Sequence, residues 1–306
     1  MPNYQGVWSL SEQYQNASGW PDATAELGLF VGLSGANTIN KVDIASSGNA
    51  IDFGDMLSAA GQRGTCATKY SAIAGGGGSN INNIESFSFT TSGTAADFGD
   101  LTVGRTELSG FNSATRGIFI GGDNGSYNDT IDYITMNTAG NAIDFGNLTT
   151  GTAAGGGCSN STRGLLGGGS TSGGAVNTIQ YITIASAGNA SDFGDLTSTR
   201  TQLTGTSNAT RGIFAGGQGP LNVIEYVTIA STGNAVDFGD LTYARRRLGS
   251  LSGSTRSLFA GGDGASTTNT IDFVITNTTG NAVDFGDLTL STYLVSGVSN
   301  TNGGLS

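Results

Sequence analysis

The residues with the clearest chemical potential in this chain are aspartates that recur in one short segment. Residues 233–242 read GNAVDFGDLT, and related segments begin at Gly48, Gly93, Gly140, Gly188 and Gly280. The six copies hold eleven of the 23 acidic residues, namely Asp52, Asp55, Asp97, Asp100, Asp144, Asp192, Asp195, Asp237, Asp240, Asp284 and Asp287. Paired carboxylates act as general acid and base only when unlike environments separate their pKa values, whereas six similar copies have similar environments. The pattern predicts a structural role, as acceptors at turns or as partners of arginine.

Other catalytic and metal-binding chemistries lack the residues they need. The chain has no histidine and two cysteines, which excludes a Ser-His-Asp triad, a histidine metal site and a zinc cluster. Cys66 and Cys158 occupy nearly the same place in two non-adjacent repeats, so we expect free, packed thiols rather than a disulfide. The sequence predicts no enzymatic activity, no cofactor and no metal centre.

The arginines also follow the repeat. Arg105, Arg200 and Arg245 open one strand of the unit, and four more open the next strand: Arg116, Arg163, Arg211 and Arg256. Because a guanidinium suits bidentate contact with a carboxylate, the repeated aspartates of a neighbouring strand or blade are the expected partners. Arg246 and Arg247 are extra charges, expected to be solvated, with a small anion-binding patch as the alternative.

Composition favours strands and limits the partners. Glycine accounts for 52 of the 306 residues without a Gly-X-Y period, and Thr, Ser, Ile, Val, Phe and Tyr dominate the rest, which predicts an all-β fold rich in turns. A net charge of −11 argues against nucleic-acid binding. No apolar run approaches the roughly 20 residues that span a bilayer, and the first residues resemble no secretion leader, so we expect a soluble product without membrane insertion.

The repeat length indicates the architecture. The motif phenylalanines are Phe53, Phe98, Phe145, Phe193, Phe238 and Phe285, with spacings of 45 to 48 residues, which is typical of a propeller blade. In the unit after Leu101, the segments from Arg105, Arg116, Thr130 and Ala142 predict four antiparallel strands. Gly140 and Asn141 suit a tight hairpin turn between the last two of them.

The two ends of the chain predict how the ring closes. The first unit begins near Leu27 without a first strand, and the sequence STYLVSGVSNTNGG from Ser291 resembles an isolated one. We therefore predict a six-bladed β-propeller of four-stranded antiparallel blades over residues 26–306, with the first blade closed by the C-terminal strand. The predicted blades are 26–57 plus 289–302, 58–101, 102–148, 149–196, 197–241 and 242–288. A β-solenoid or a stacked sandwich is the alternative.

Two resemblances follow from these residues. The second-strand glycine pairs at 121–122, 216–217 and 261–262, followed by an aromatic-bearing third strand, resemble the kelch repeat, although DFGDL stands where kelch units usually carry Trp. GVWSLSEQYQ from Gly6 and the GNAxDFGDLT copies look like propeller-type structural proteins of tailed, particularly marine, bacteriophages. The second resemblance implies a virion protein made in the host cytoplasm.

The variable segments are the loops after the second strands. They differ in length and content while the flanking strands do not, and loops on rigid scaffolds commonly carry binding. The candidate ligand-binding residues are Asp123, Asn124, Tyr127, Asn128, Leu221 and Asp263, and unconstrained drift is the alternative. Asp123, Asn124, Asn128 and Asp129 also offer oxygen donors of the type that calcium uses, but their spacing matches no EF-hand.

The combined prediction is a non-enzymatic phage protein, tail or capsid-associated, that attaches to a host-surface glycan or receptor through these loops. The alternative is a decoration or assembly protein that binds only other virion subunits. Residues 1–25 lie outside the repeat, and their aromatics Trp8, Tyr14 and Trp20 are expected to pack on the propeller or to anchor it.

Overall fold

The structure, a computed structural model, describes residues 25–33 and 36–301. This part of the chain contains 27 β-strands and a single 3-10 turn at Gly78–Asn80. The predicted anchor residues Trp8, Tyr14 and Trp20 lie outside the described residues. The prediction of an all-β protein is confirmed.

The strands fall into six groups along the chain. Blade 1 begins with β1 (Leu27–Val31), β2 (Thr38–Asp43) and β3 (Ile51–Asp55). Blade 2 holds β4 (Gly64–Ala67), β5 (Ser71–Gly75), β6 (Asn83–Ser88) and β8 (Ala96–Asp100), whereas the two-residue β7 (Gly93–Thr94) that precedes β8 pairs parallel with β3 of blade 1. Blade 3 holds β9 (Ser109–Asn112), β10 (Arg116–Ile120), β11 (Thr130–Thr135) and β12 (Ile143–Asn147).

The second half repeats the pattern. Blade 4 holds β13 (Gly156–Ser159), β14 (Arg163–Gly167), a small hairpin of β15 (Ser170–Thr171) and β16 (Gly174–Ala175), β17 (Thr178–Thr183) and β18 (Ser191–Asp195). Blade 5 holds β19 (Thr204–Ser207), β20 (Arg211–Ala215), β21 (Leu221–Thr228) and β22 (Val236–Arg245). Blade 6 holds β23 (Gly249–Ser252), β24 (Arg256–Ala260), β25 (Thr268–Ile275) and β26 (Val283–Thr292), after which the last strand is β27 (Ser296–Ser299).

The sheets close into a ring. Each blade is an antiparallel meander of four strands, and β27 pairs antiparallel with β1, where Gly28 faces Ser299 and Val31 faces Ser296. The inner strands β27, β4, β9, β13, β19 and β23 contact one another in that circular order. The predicted six-bladed propeller, with its first blade closed by the C-terminal strand, is confirmed.

The hydrophobic core lies between blades. Six clusters of buried residues each draw side chains from two adjacent blades: one of them joins Phe111, Ile118 and Phe145 of blade 3 to Leu166 and Ile182 of blade 4. The motif phenylalanines from Phe98 onward are buried in these clusters, whereas Phe53 is half-buried. A single blade therefore has no core of its own, and burial of apolar surface requires its neighbours.

The GNA part of the motif joins blades instead of turning a hairpin. The turn after β11 comes earlier, where Thr138 N–H donates to Thr135 O over 3.2 Å. Gly140 N–H donates to Phe98 O of the preceding blade over 2.7 Å, and Asn141 Oδ1 accepts from Asp100 N–H at 3.0 Å. The expected Gly-Asn hairpin turn was wrong, because these residues dock on the outermost strand of the preceding blade and satisfy backbone groups that an exposed edge leaves unpaired.

The asparagine contact recurs around the ring. The acceptors are Asn49, Asn141, Asn189, Asn234 and Asn281, and the donors are the backbone N–H groups of Asp287, Asp100, Asn147, Asp195 and Asp240. A second main-chain contact also recurs: the alanine N–H of a GNA or GTA segment donates to a main-chain carbonyl of the preceding blade. The accepting aspartates are Asp55, Asp100, Asp195, Asp240 and Asp287. These aspartates therefore join blades through their main chain.

Arginines of the second strands join blades in a second way. Arg116 Nη1 donates to Ile184 O of the next blade over 3.0 Å, and its guanidinium lies 4.8 Å from the centre of the Tyr133 ring. Arg163, Arg211 and Arg256 make the corresponding contacts with carbonyls of the following blade and with Tyr181, Tyr226 and Phe273. The expected partners were the repeated aspartates. Backbone carbonyls and aromatic faces take their place, because these lie beside the guanidinium at the blade boundary.

Arginines near the first strands form buried ion pairs with third-strand acids. Their pairs are Arg63 with Glu85, Arg105 with Asp132, Arg200 with Glu225 and Arg245 with Asp272, at 2.7 to 3.0 Å. Burial lowers the pKa of Arg63 and Arg200, and the facing glutamates oppose that shift. The repeated aspartates expected for Arg105, Arg200 and Arg245 were again not the partners, since the third-strand acids are the carboxylates buried beside them.

The propeller has two unlike faces. The loops after the second strands and the connections between blades lie on one side, which we call the loop face. The turns after the first and third strands lie on the other side, the turn face. Leu27 N–H donates to Asn300 Oδ1 over 2.8 Å on the turn face, so both ends of the described chain meet there. The loop face is free of them.

Candidate functional site

Four of the predicted binding residues share one loop. Asp123, Asn124, Tyr127 and Asn128 lie between β10 and β11, where Asp123 forms backbone bridges with Thr106 and Tyr127. The side chain of Tyr127 is 39% exposed, and its hydroxyl has no hydrogen-bond partner within the described residues. The loop thus holds an aromatic ring on its surface and fixes the backbone beneath it.

A depression on the loop face separates blades 3 and 4. Asp123, Ser126 and Tyr127 line one side, and Thr150 and Ser172 line the other. Gly151 lies at its floor, where a Cβ would collide with Tyr127 O. The depression therefore combines an aromatic surface, a carboxylate and hydroxyl groups.

The other two predicted residues lie elsewhere on the loop face. Leu221 begins β21 in blade 5 and faces Arg245 across the sheet. Asp263, in blade 6, accepts from Arg246 Nε at 3.0 Å. The structure therefore does not bring Leu221 or Asp263 to the depression at Tyr127.

The oxygen donors considered for calcium lie in a loop that forms hydrogen bonds within itself. Asp123 Oδ1 accepts from Gly125 N–H at 2.7 Å, and Asn128 N–H donates to Gly122 O over 2.8 Å. Over residues 25–33 and 36–301, no three His, Cys, Asp or Glu side chains group closely enough to hold a metal ion. This loop is organised by its own backbone.

A channel runs along the propeller axis and opens at the loop face. It forms a cavity of about 150 Å³ between the six inner strands. Glycines stand in its wall where the strands approach closely: a Cβ at Gly110 would collide with Thr65 N. Hydroxyl groups bridge the strands, as where Thr204 Oγ1 lies 2.6 Å from Ser250 Oγ. The wall therefore combines hydroxyl groups with leucine and valine side chains.

The turn-face end of the channel is bounded by a belt of hydrogen bonds. Ser159 Oγ donates to Asn112 O, Ser207 Oγ to Ser159 O, Ser252 Oγ to Ser207 O, and Ser299 Oγ to Ser252 O. All of these residues are buried. The serine hydroxyls of this belt donate to carbonyls within the belt. We therefore expect side chains able to bind a ligand at the other end of the channel, on the loop face.

The mouth at the loop face is a ring of six residues with left-handed backbone. Each of these residues lies just before an inner strand and has a φ between 54° and 63°. They are Gln62, Glu107, Ala154, Gln202, Arg247 and Leu294. Five backbone hydrogen bonds of 2.8 to 3.0 Å link neighbours in the ring, and the side chains of Gln62 and Glu107 make the sixth link at 2.8 Å. A left-handed non-glycine residue costs about 1–3 kcal/mol, so the surrounding structure holds six such residues in place.

The side chains of this ring are unlike one another. In circular order Glu107 of blade 3 stands opposite Arg247 of blade 6, and Gln62 stands opposite Gln202. Gln62 donates to Glu107 and accepts from Thr106, whereas Gln202 Oε1 and Arg247 Nε are shielded from solvent without a hydrogen-bond partner in the described chain. The mouth is therefore a rigid ring whose chemistry differs from blade to blade.

The comparisons with known proteins identify no relative. No family model and no curated protein matches the chain. The kelch and phage resemblances therefore stay predictions beside a propeller fold that the structure shows.

The two cysteines lie on the inner strands β4 and β13, beside the central channel. Cys66 and Cys158 are free and buried, as predicted. Burial raises the pKa of both thiols, that of Cys158 to about 12. In the described part of the chain no helix is long and apolar enough to cross a membrane.

Sequence reasoning missed the mouth residues and the buried acids. The acids had a signal, because the residue that follows the isoleucine of each third strand is polar and able to accept a hydrogen bond: Asn40, Glu85, Asp132, Gln180, Glu225 and Asp272. The mouth residues had no such signal, because the left-handed backbone of a non-glycine residue cannot be recognised from its residue type.

Proposed function

We propose that this chain is a non-enzymatic virion protein, tail or capsid-associated, that attaches to a host-surface glycan through the loop face. The observation that carries the proposal is the depression between blades 3 and 4, with Tyr127, Asp123, Thr150 and Ser172 around it. An exposed aromatic ring packs against sugar C–H surfaces, and carboxylate and hydroxyl groups exchange hydrogen bonds with sugar hydroxyls. The phage origin comes from the resemblance of the repeats.

The placement of the chain ends supports this orientation. Residues 25–26 and 300–301 lie on the turn face, where Asn300 Nδ2 donates to Ala25 O over 3.0 Å. A particle attached through that side would leave the loop face directed outward. The loops also differ among blades while the scaffold beneath them is repeated, as expected for a surface under selection for a ligand.

The test is binding of the purified protein to host cells and to a glycan array. We expect binding that Tyr127→Ala reduces at least tenfold and that Asp123→Asn reduces several-fold. Tyr70→Ala is the matched control, because Tyr70 is 72% exposed and lies in the turn after β4 on the turn face. Equal binding of Tyr127→Ala and wild type, or no binding to any cell or glycan, would contradict the attachment function.

A second candidate is a decoration or assembly protein that binds only other virion subunits. One observation favours it: apolar side chains are exposed on the outermost strands of four blades, at Ile51, Ile143, Val236 and Val283. Exposed apolar surface commonly marks protein contacts. Incorporation into particles that Ile143→Ser and Val236→Ser abolish, with no glycan binding, would favour this candidate.

A further inference from the structure

The guanidinium of Arg247 is exceptional among the arginines. Arg63, Arg105, Arg200, Arg245 and Arg246 pair with carboxylates. The second-strand arginines donate to carbonyls and lie over aromatic rings. Within the described chain Arg247 alone has no hydrogen-bond or ion-pair acceptor for its side chain, and its guanidinium lies 5.8 Å from the centre of the Tyr293 ring. An arginine without an acceptor at a channel mouth is arranged to receive one from a ligand.

Gln202, the neighbour of Arg247 in the ring, has a hydrogen-bond acceptor without a donor. Arg247 N–H donates to Gln202 O over 2.9 Å, so the two residues are held side by side. Gln202 Oε1 is a shielded acceptor without a donor, whereas Gln62 on the opposite side is satisfied by Glu107 and Thr106. A buried acceptor left without a donor is destabilising, and a ligand hydroxyl that donates to it would relieve that cost.

We infer that the mouth of the central channel binds a small sugar acid, with its carboxylate on the Arg247 guanidinium and a hydroxyl on Gln202 Oε1. The size of the cavity, about 150 Å³, is below the roughly 300–1,000 Å³ of pockets for drug-sized ligands, which suits one sugar unit. The wall beneath mixes Leu and Val side chains with hydroxyl groups such as those of Thr204, Ser250 and Ser296, and these hydroxyls give a sugar hydrogen-bond partners that a fatty acid cannot use. Glu107, opposite Arg247, disfavours a ligand with two negative charges.

This site is separate from the depression at Tyr127 and does not depend on the proposed attachment function. The mouth belongs to the connections just before the inner strands, and Tyr127 belongs to the outer loop of blade 3. Substitutions at one site leave the other intact. Failure of either proposal is therefore visible by itself.

The test is titration of the full chain with D-glucuronate, D-glucose and acetate, followed by calorimetry and ligand-observed NMR. We expect D-glucuronate to bind with a dissociation constant in the millimolar range or below, and at least tenfold more tightly than either of the other two. D-glucose lacks the carboxylate, and acetate lacks the hydroxyls. Equal binding of D-glucuronate and D-glucose would overturn the role of Arg247, and equal binding of D-glucuronate and acetate would overturn the sugar assignment.

The decisive variant is Arg247→Gln, because glutamine already stands at this left-handed position in two other blades. We expect it to fold and to lose at least tenfold in D-glucuronate affinity. Arg246→Gln is the matched control: Arg246 is the adjacent arginine, it pairs with Asp263 outside the mouth, and its removal should change affinity less than twofold. Unchanged affinity in Arg247→Gln would overturn the proposal.

A third variant tests the charge across the mouth. Glu107→Gln retains an oxygen that can accept from Gln62 Nε2 and removes a negative charge opposite Arg247. We expect D-glucuronate to bind about twofold more tightly, because a like charge on the far side of a solvated channel repels weakly. Weaker binding in Glu107→Gln would contradict this placement of the carboxylate.

Discussion

Arg105 Nη1 lies 2.8 Å from Asp132 Oδ2, and neither side chain is exposed to solvent. The pair joins the approach to β9 to the middle of β11 and so fixes the inner part of blade 3 to its third strand. Arg105 also donates to Gly121 O and Val103 O, which supplies the hydrogen bonds that a buried guanidinium requires. Blades 2, 5 and 6 contain the same kind of pair.

In blades 1 and 4, uncharged residues replace both members of this ion pair. In blade 4, Thr152 stands where blade 3 has Arg105, and Gln180 stands where it has Asp132. In blade 1, Thr292 and Asn40 occupy these positions. In the two blades that lack the arginine, an amide side chain stands in place of the acidic one. A carboxylate buried there without an arginine would carry a large desolvation cost. In blade 2 the sequence position holds Ala60, and Arg63 supplies the guanidinium from three residues further on.

Removing one member of a buried pair should therefore destabilise the ring. We expect Arg105→Ala to lower the free energy of unfolding by about 3–5 kcal/mol, since it leaves Asp132 buried without its partner. Guanidinium unfolding followed by circular dichroism measures this. Arg246→Ala removes a partly exposed ion pair and should cost about 1 kcal/mol or less. A smaller loss in Arg105→Ala than in Arg246→Ala would contradict the assignment.

The combination found in blade 4 should restore stability in blade 3. We expect the double substitution Arg105→Thr with Asp132→Gln to recover more than half of the free energy lost in Arg105→Thr alone, because no charge is left buried. The same unfolding measurement, made on both single variants and the double variant, gives the coupling. A double variant as unstable as the sum of the singles would show that the residues act independently.

The asparagine contacts between blades predict a smaller and additive effect. Asn141→Ala should lower the free energy of unfolding by about 0.5–1.5 kcal/mol, the net value of one hydrogen bond, because Asp100 N–H loses its acceptor. Asn137 lies four residues earlier on the turn after β11 and is exposed, so Asn137→Ala should change stability by about 0.5 kcal/mol or less. Equal losses in the two variants would remove the support for a specific contact.

Close packing between blades makes Gly164 a sensitive position. A Cβ at Gly164 would collide with the Phe111 ring of the preceding blade. We expect Gly164→Ala to cost about 1–3 kcal/mol through overpacking. Gly188→Ala is the control, because no atom outside its chain neighbours lies within 4 Å of its Cβ position. Thermal unfolding should separate the two variants, and an unchanged melting temperature in Gly164→Ala would contradict the packing described.

The buried thiols predict a dependence on alkaline pH. Burial raises the pKa of the Cys158 thiol to about 12 and also raises the pKa of the Cys66 thiol above its usual range. Their contribution to stability is therefore complete below pH 9 and is lost as the pH rises towards the folded pKa, because the unfolded chain releases these protons first. The loss is about 1.4 kcal/mol per pH unit for each thiol.

A comparison of variants isolates this contribution from other groups that titrate at high pH. Between pH 8 and pH 10, the free energy of unfolding should fall more in the wild type than in the double variant Cys66→Ala with Cys158→Ala. Both thiols should also resist a thiol reagent at pH 8 until the protein is unfolded. Rapid labelling of the folded protein would contradict their burial.

The sequence by itself determined the blade number, the strand order and the closure of the ring. A repeat of 45 to 48 residues, a missing first strand at Leu27 and a spare strand after Ser291 are properties of the chain order alone. The local signals were also sufficient for the unpaired cysteines and for the burial of the motif phenylalanines from Phe98 onward, because both follow from burial in a repeated core.

Only the tertiary structure decided the partners of the polar residues. Arg116 lies closest to a carbonyl of the next blade, Asn141 to the main chain of the preceding one, and Arg105 to an acid in its own third strand. A hydrogen bond acts over about 3 Å and depends on direction. Which of several equivalent aspartates and carbonyls comes within that distance depends on how neighbouring blades stack, and that information is not local to any repeat. The same holds for the mouth, where residues spread over the whole chain meet around one axis.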